Sequence, residues 1–156
     1  SVPGCDEGWG LYAESLADEL GLMPTPEDRF GRLAARRWRL ARVLVDLGVH
    51  SRLPVPDDVA ALPGACREWN RATVTAVLRH HTVISEGRLR FEVSRHLGWP
   101  SQPLAYAVGE RVWQAGRRSA RAQARTEGGE LDLRAFHNRG IDLGSVGLDL
   151  LASALH

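Results

Sequence analysis

Cys5-Asp6-Glu7-Gly8-Trp9-Gly10-Leu11-Tyr12-Ala13-Glu14-Ser15-Leu16 is the stretch on which the reading of this chain turns. At 3.6 residues per turn, Trp9, Tyr12, Ala13, Leu16 and Leu20 fall on one apolar stripe, which predicts an amphipathic helix stopped by Gly21. Glu7 and Glu14 lie two turns apart on a neighbouring face, with Gly10 between them. Because a glycine inside a helix costs roughly 1 kcal/mol relative to alanine, Gly10 implies that another backbone or a ligand approaches that face. Two carboxylates flanking a bare spot read either as a solvated helix face or as a site.

The rest of the chain repeats the helical pattern. Thr25-Pro26-Glu27-Asp28 is a helix start, with Thr25 as cap, Pro26 in the first helical position and two acids at the positive end of the dipole. That helix is expected to run to about Leu47 and stop at Gly48, burying Phe30, Leu33, Ala34, Leu40, Ala41, Leu44 and Leu47. Pro54, Pro56, Pro63 and Gly64 make a loop in which residues 56–62 allow one helical turn. Further helices are expected over Cys66–His81, Glu86–Leu97, a long span opened by the stretch from Pro100 to Gly109 and running through about Arg125, a short one carrying Phe136, and Leu148–Leu155. No stretch alternates apolar and polar residues as a half-buried strand does. The fold class is therefore all-α, a helical bundle.

Bulk properties limit the function classes. A chain of 156 residues, 44% hydrophobic, supports one globular domain. Its 20 basic residues are balanced by 19 acidic ones, so no whole-domain field exists to hold nucleic acid or an anionic membrane surface. Cys5 and Cys66 are too few and too far apart for a disulfide framework or a cysteine metal site. No apolar run reaches the roughly 20 residues that span a bilayer, and no basic-then-apolar leader opens the chain. The visible chain reads as soluble, with its compartment open.

The run from Glu7 to Glu14 resembles the E-G-W-A-L-Y-A-E signature of a large bacterial family of unknown function, expected to be zinc metallopeptidases. It is also similar to the N-E-G-F-A-x-Y-x-E segment of aminopeptidase N-type enzymes, whose first glutamate is the third zinc ligand. The resemblance implies Glu7 as that ligand and Glu14 as a nearby support. Arg39, Arg42, Asp46, Gly48 and His50 match the family's R-x-x-R-L-V-x-D-x-G-x-H segment. Alone, these residues form an exposed ion-pair ladder; in the family they would face the cleft. The resemblance then makes Arg39 and Arg42 a grip for a substrate carboxylate, Asp46 their orienter and His50 a hydrogen-bond donor.

Arg95, Pro100, Gln102, Tyr106 and Gly109 resemble the family's R-Y-x-x-x-P-G-Q-A-x-x-Y-x-x-G block, while His96, Ser101 and Pro103 depart from it. Gln102 would join the substrate-binding group. Tyr106 would donate to a developing oxyanion, or else be a half-buried core tyrosine. His96 and His137 read as structural histidines. The segment Leu131–Asn138 resembles the family's F-D-L-x-x-F-H-D, with Phe136, Leu148, Leu150 and Leu151 facing inward.

A zinc hydrolase of this kind also needs two histidines one turn apart with a glutamate between them. This chain has no H-E-x-x-H, and in the family that motif precedes E-G-W. The expectation is the C-terminal half of a gluzincin-like fold, residues 1–156 forming a single helical domain of a longer chain, inactive in isolation. Its cofactor would be zinc in the full-length protein and none in this chain alone. Its partners would be the upstream part of the same protein and a peptide or small amide substrate. Two other readings stand beside it: a non-catalytic helical interaction module, and a small-ligand domain using the arginine stripe as an anion site.

Overall fold

The computed structural model describes residues 2–156. Among them are eight helices and no strand, as the hydrophobic periodicity requires: α1 (Pro3–Glu19), α2 (Pro26–His50), α3 (Asp57–Ala60), α4 (Arg71–His81), α5 (Glu86–Gly98), α6 (Gln102–Thr126), α7 (Leu133–Ile141) and α8 (Leu148–Leu155). The chain divides into two compact units, one of Ser1–Leu22 with Ala105–His156 and the other of Met23–Leu104. None of these helices is long and apolar enough to cross a membrane.

Short-range chemistry sets the helix ends. Thr25 accepts from the Asp28 N–H while the Asp28 carboxylate accepts from the Thr25 N–H, so two donors that the first turn of α2 leaves unpaired are satisfied. Asn70, Ser85 and Asp132 cap α4, α5 and α7 in the same sense. Asn70 also moves the start of α4 beyond the expected Cys66, whose N–H donates instead to Thr73 Oγ1. At the end of α1, Gly21 is left-handed at φ 73°, and Leu22 N–H reaches back to Ala17 O while Gly21 N–H reaches Asp18 O. That is the stop expected there.

Two expectations for α2 need correction. The helix continues through Gly48 to His50, because this glycine is a point of close approach and not a terminator. A Cβ on it would sit 2.5 Å from Trp69 Cζ2, inside the ring's own volume. The buried residues are Ala41, Val45, Asp46 and Gly48, whereas Phe30, Leu33 and Leu40 are 73%, 55% and 52% exposed. Length explains the difference. At 1.5 Å per residue α2 is about 37 Å long, while α4, its neighbour, is about 16 Å. Only the C-terminal half of α2 lies over the core made by Val74, Val77 and Leu78 of α4 and Leu89 and Val93 of α5.

In the other unit Tyr12, Trp113, Phe136, Leu151 and Leu155 are buried together. Phe136 and Leu151 face inward as expected, but Leu150 is 64% exposed and Leu20 60%. On α1 the buried positions include Leu11 and Tyr12, which rotates the apolar stripe away from Leu20.

Candidate functional site

One candidate group lies on α1 where it meets α6. A Cβ on Gly8 would lie 2.5 Å from the carbonyl carbon of Gly109, and a Cβ on Gly109 would lie 2.7 Å from Gly8 Cα. The two helices touch backbone to backbone, and no side chain other than hydrogen fits between them. Around Gly10 a Cβ would meet nothing within 4 Å. The glycine that marks a close backbone is therefore Gly8, and the bare spot at Gly10 opens into space. Glu7 is exposed, one residue from this crossing; Tyr106 is buried at 6% exposure, one turn before Gly109 on α6; Glu14 is partly buried.

Trp9 and Tyr12 of the same motif turn inward. Tyr12 stacks on Trp113 with centroids 5.6 Å apart, and Trp9 lies 4.8 Å from Trp113. The Tyr12 hydroxyl bonds His137 Nε2 at 2.8 Å. Burial raises the phenol's pKa, while burial and the Arg117 charge lower that of His137. The phenol keeps its proton and the ring it bonds is neutral. His137 is thus a hydrogen-bonded structural histidine.

A separate group lies in the other unit, where Arg42, Asp46 and His50 of α2 meet Glu92, Arg95 and His96 of α5. Glu92 is 1% exposed, and its oxygens accept from Arg88 Nε at 3.1 Å and Arg95 Nη2 at 2.7 Å; Arg42 Nε stands at 3.9 Å. A buried carboxylate persists only with such partners. Burial pushes the Glu92 pKa up, but Arg95, Arg42 and Arg88 together outweigh it and hold the group below its ordinary value. Arg42 and Arg88 also stand over the Trp38 ring at 5.5 Å each.

His96 Nε2 lies 3.1 Å from Arg42 Nε and 3.3 Å from Glu92 Oε2. Burial first, then the charges of Arg42 and Arg95, bring its pKa down to about 4. The ring is neutral at pH 7, and because a guanidinium only donates, Nε2 accepts and the proton sits on Nδ1. That Nδ1 is buried with no hydrogen-bond partner. His50 Nε2 lies 2.8 Å from the His96 carbonyl oxygen, which only accepts, so Nε2 carries a proton and donates.

Asp46, 1% exposed, accepts the Ser101 N–H on both carboxylate oxygens at 3.0 and 3.1 Å. Ser101 has φ 70°, the left-handed region that favours glycine, which is the residue the resembling P-G-Q block has here. The carboxylate holds the backbone in that turn without a glycine. Gln102 follows, and its Oε1 accepts from Arg95 Nη1 at 3.0 Å.

Of the residues singled out from the sequence, Arg42, His50 and Gln102 therefore belong to one hydrogen-bonded network, Asp46 holds the Ser101 backbone beside it, and Arg39 is partly buried on the same helix as Arg42. Glu7, Glu14 and Tyr106 belong to the other unit. The network's hub, Glu92, was missed. Arg88, Arg95 and His96 stand four, three and four residues from Glu92 on one helix, a signal that a buried carboxylate could have been read from. Among the described residues no group of three or more His, Cys, Asp or Glu side chains is placed to hold a metal ion. Glu7 offers one exposed carboxylate, fewer donors than a zinc site takes.

Comparison with known proteins places this geometry. No curated protein matches the chain. Among solved structures, the crystal structure of "the putative lipoprotein from Colwellia psychrerythraea" is similar over 98% of this chain, at 28% identity and a TM-score of 0.80. The chain spans 23% of that protein's length. The family of bacterial proteins of unknown function DUF885 matches residues 2–155, and the chain belongs to it.

Proposed function

We propose that the chain is the C-terminal portion of a zinc-dependent peptidase or amide hydrolase. The observation that carries this reading is Glu7, an exposed carboxylate on a helix locked to α6 by the Gly8–Gly109 contact, inside the run that resembles E-G-W-A-L-Y-A-E. A ligand helix must not slide, and backbone contact on one side with a free carboxylate on the other meets that need. When bound, zinc would polarise the scissile carbonyl and activate a water molecule.

The chain's own residues take the remaining roles. Tyr106, one turn from the same crossing, supplies the neutral hydrogen-bond donor, and Glu14 supports the helix face. Arg39, Arg42 and Gln102 bind substrate carboxylate or carbonyl groups, Arg42 being set by His96 and Gln102 by Arg95. His50, fixed by its Nε2–H bond to the His96 carbonyl, stands beside them as the hydrogen-bonding histidine of the group. Asp46 shapes the turn before Gln102, in addition to any effect on the arginines.

The test is metal content and peptide hydrolysis of a longer polypeptide that includes this chain and the region before it. Glu7→Gln is expected to lose stoichiometric zinc and hydrolysis, while Tyr106→Phe keeps zinc and lowers kcat more than it raises KM. The chain alone is expected to take up no stoichiometric zinc, because one carboxylate does not hold the ion. Full zinc loading and activity in Glu7→Gln would end the proposal.

A further inference from the structure

In the unit that contains α1 and α6, a cavity of about 340 Å³ opens between Tyr12, Ser15 and Glu19 of α1 and Arg117, Arg118 and Arg121 of α6. It is separate from the residues assigned above. Three guanidinium groups face one carboxylate, so the lining carries a formal excess of two positive charges, 3 − 1 = 2. Arg117 and Arg121 stand four apart on one helix, where like charges disfavour the folded chain. A bound anion would reverse the sign of that interaction.

The cavity also has built walls. Tyr12 is 2% exposed and the Arg117 side chain 11%, with the Arg117 guanidinium 5.9 Å from the Tyr12 ring centroid. Arg117 Nη1 and Nη2 donate to the two Glu19 oxygens at 3.1 and 2.7 Å, the paired geometry with which arginine takes carboxylates and phosphates. Arg117 Nε is buried without a hydrogen-bond partner. Glu19 is the last residue of α1, where a negative charge opposes the helix dipole, and its side chain is 53% exposed. It occupies the arginine fork at a position where an incoming anion can displace it. Arg118 and Arg121 are exposed at the cavity's edge.

We infer that this cavity binds a small dianionic oxyanion, a dicarboxylate or a phosphate monoester, held by Arg117, Arg118 and Arg121 in competition with Glu19. The volume lies at the low end for ligand sites, which suits a metabolite-sized anion. The experiment is calorimetric titration of the chain with succinate and, separately, with inorganic phosphate, at constant ionic strength set with sodium chloride. One-to-one binding of either anion is expected, and the two titrations distinguish carboxylate from phosphate.

Arg121→Gln is expected to weaken binding about tenfold and Glu19→Gln to strengthen it about threefold, through loss of an attractive and a competing charge respectively. Arg139→Gln, an exposed arginine of α7 outside the cavity, is expected to leave binding unchanged. If Arg121→Gln does not fold, Arg118→Gln takes its place, judged by helical circular dichroism. Absence of binding by both anions overturns the inference, as does an equal effect of Arg121→Gln and Arg139→Gln or weakened binding in Glu19→Gln.

Discussion

Acidification should destabilise the α2–α5 network through His96, and the size follows from its surroundings. Burial and the charges of Arg42 and Arg95 hold its folded pKa at about 4, against an unfolded value near 6.5. The folded state therefore favours the neutral ring. Stability from this group is fully present above pH 6.5 and is lost as pH falls toward 4, because the unfolded chain takes up the proton first. Integrated between pH 7.5 and 4.5, the loss is about 2.5 kcal/mol. Glu92, with a folded pKa below its ordinary value, begins to add its own loss at the acid end of this window, as the unfolded carboxylate protonates, and adds most of it at still lower pH.

The assay is native-state hydrogen exchange of α5 amides, corrected for intrinsic rates, at the two pH values. In His96→Gln the amide oxygen can still accept from Arg42, but nothing titrates in this window at position 96. The pH-dependent loss should shrink to under about 1 kcal/mol, the remainder coming from other histidines such as His81, whose pKa burial also lowers. An equal loss in the wild type and in His96→Gln would refute the reasoning, as would an imidazolium signal for His96 at pH 6.

Two contrasts test the packing argument. Gly8→Ala should cost roughly 2 kcal/mol or more in urea unfolding, since its Cβ has Gly109 backbone and no movable side chain against it, while Gly10→Ala should be neutral or stabilising by up to about 1 kcal/mol. Equal effects at the two positions would remove the helix crossing as the reason for Gly8. Glu92→Gln should lower stability by about 3 kcal/mol at pH 7 by leaving Arg95 and Arg42 without their buried counter-charge, whereas loss of the exposed Arg79–Glu86 pair by Glu86→Gln should cost no more than about 0.5 kcal/mol.

Which parts of this architecture were legible in the sequence depends on the range of the interaction involved. Helix starts at Thr25 and Asp132 and the stop at Gly21 were readable because a cap is satisfied by groups three or four residues away. Burial along α2 was not. Phe30, Leu33 and Leu40 obey the helical period, yet their exposure depends on how far α4 extends, which no local pattern encodes. The glycines divide in the same way. Gly10 and Gly48 were read as a point of approach and a stop from composition alone, whereas the first meets nothing within 4 Å and the second meets the Trp69 ring.

The site residues show the same boundary from the chemical side. Spacing put Arg42, Asp46 and His50 on one face, and the structure links each to a partner 46 to 55 residues away: Arg42 to His96, His50 to the His96 carbonyl, Asp46 to Ser101. These bonds constrain chemistry that spacing left open. Arg42 donates Nε to the neutral His96 ring and His50 donates Nε2 to the carbonyl of the same residue, so one histidine sets the orientation of both. Substitution of His96 by a residue unable to accept would loosen the Arg42 orientation with no change in the charge it carries. A positional effect on substrate binding would then separate from an electrostatic one.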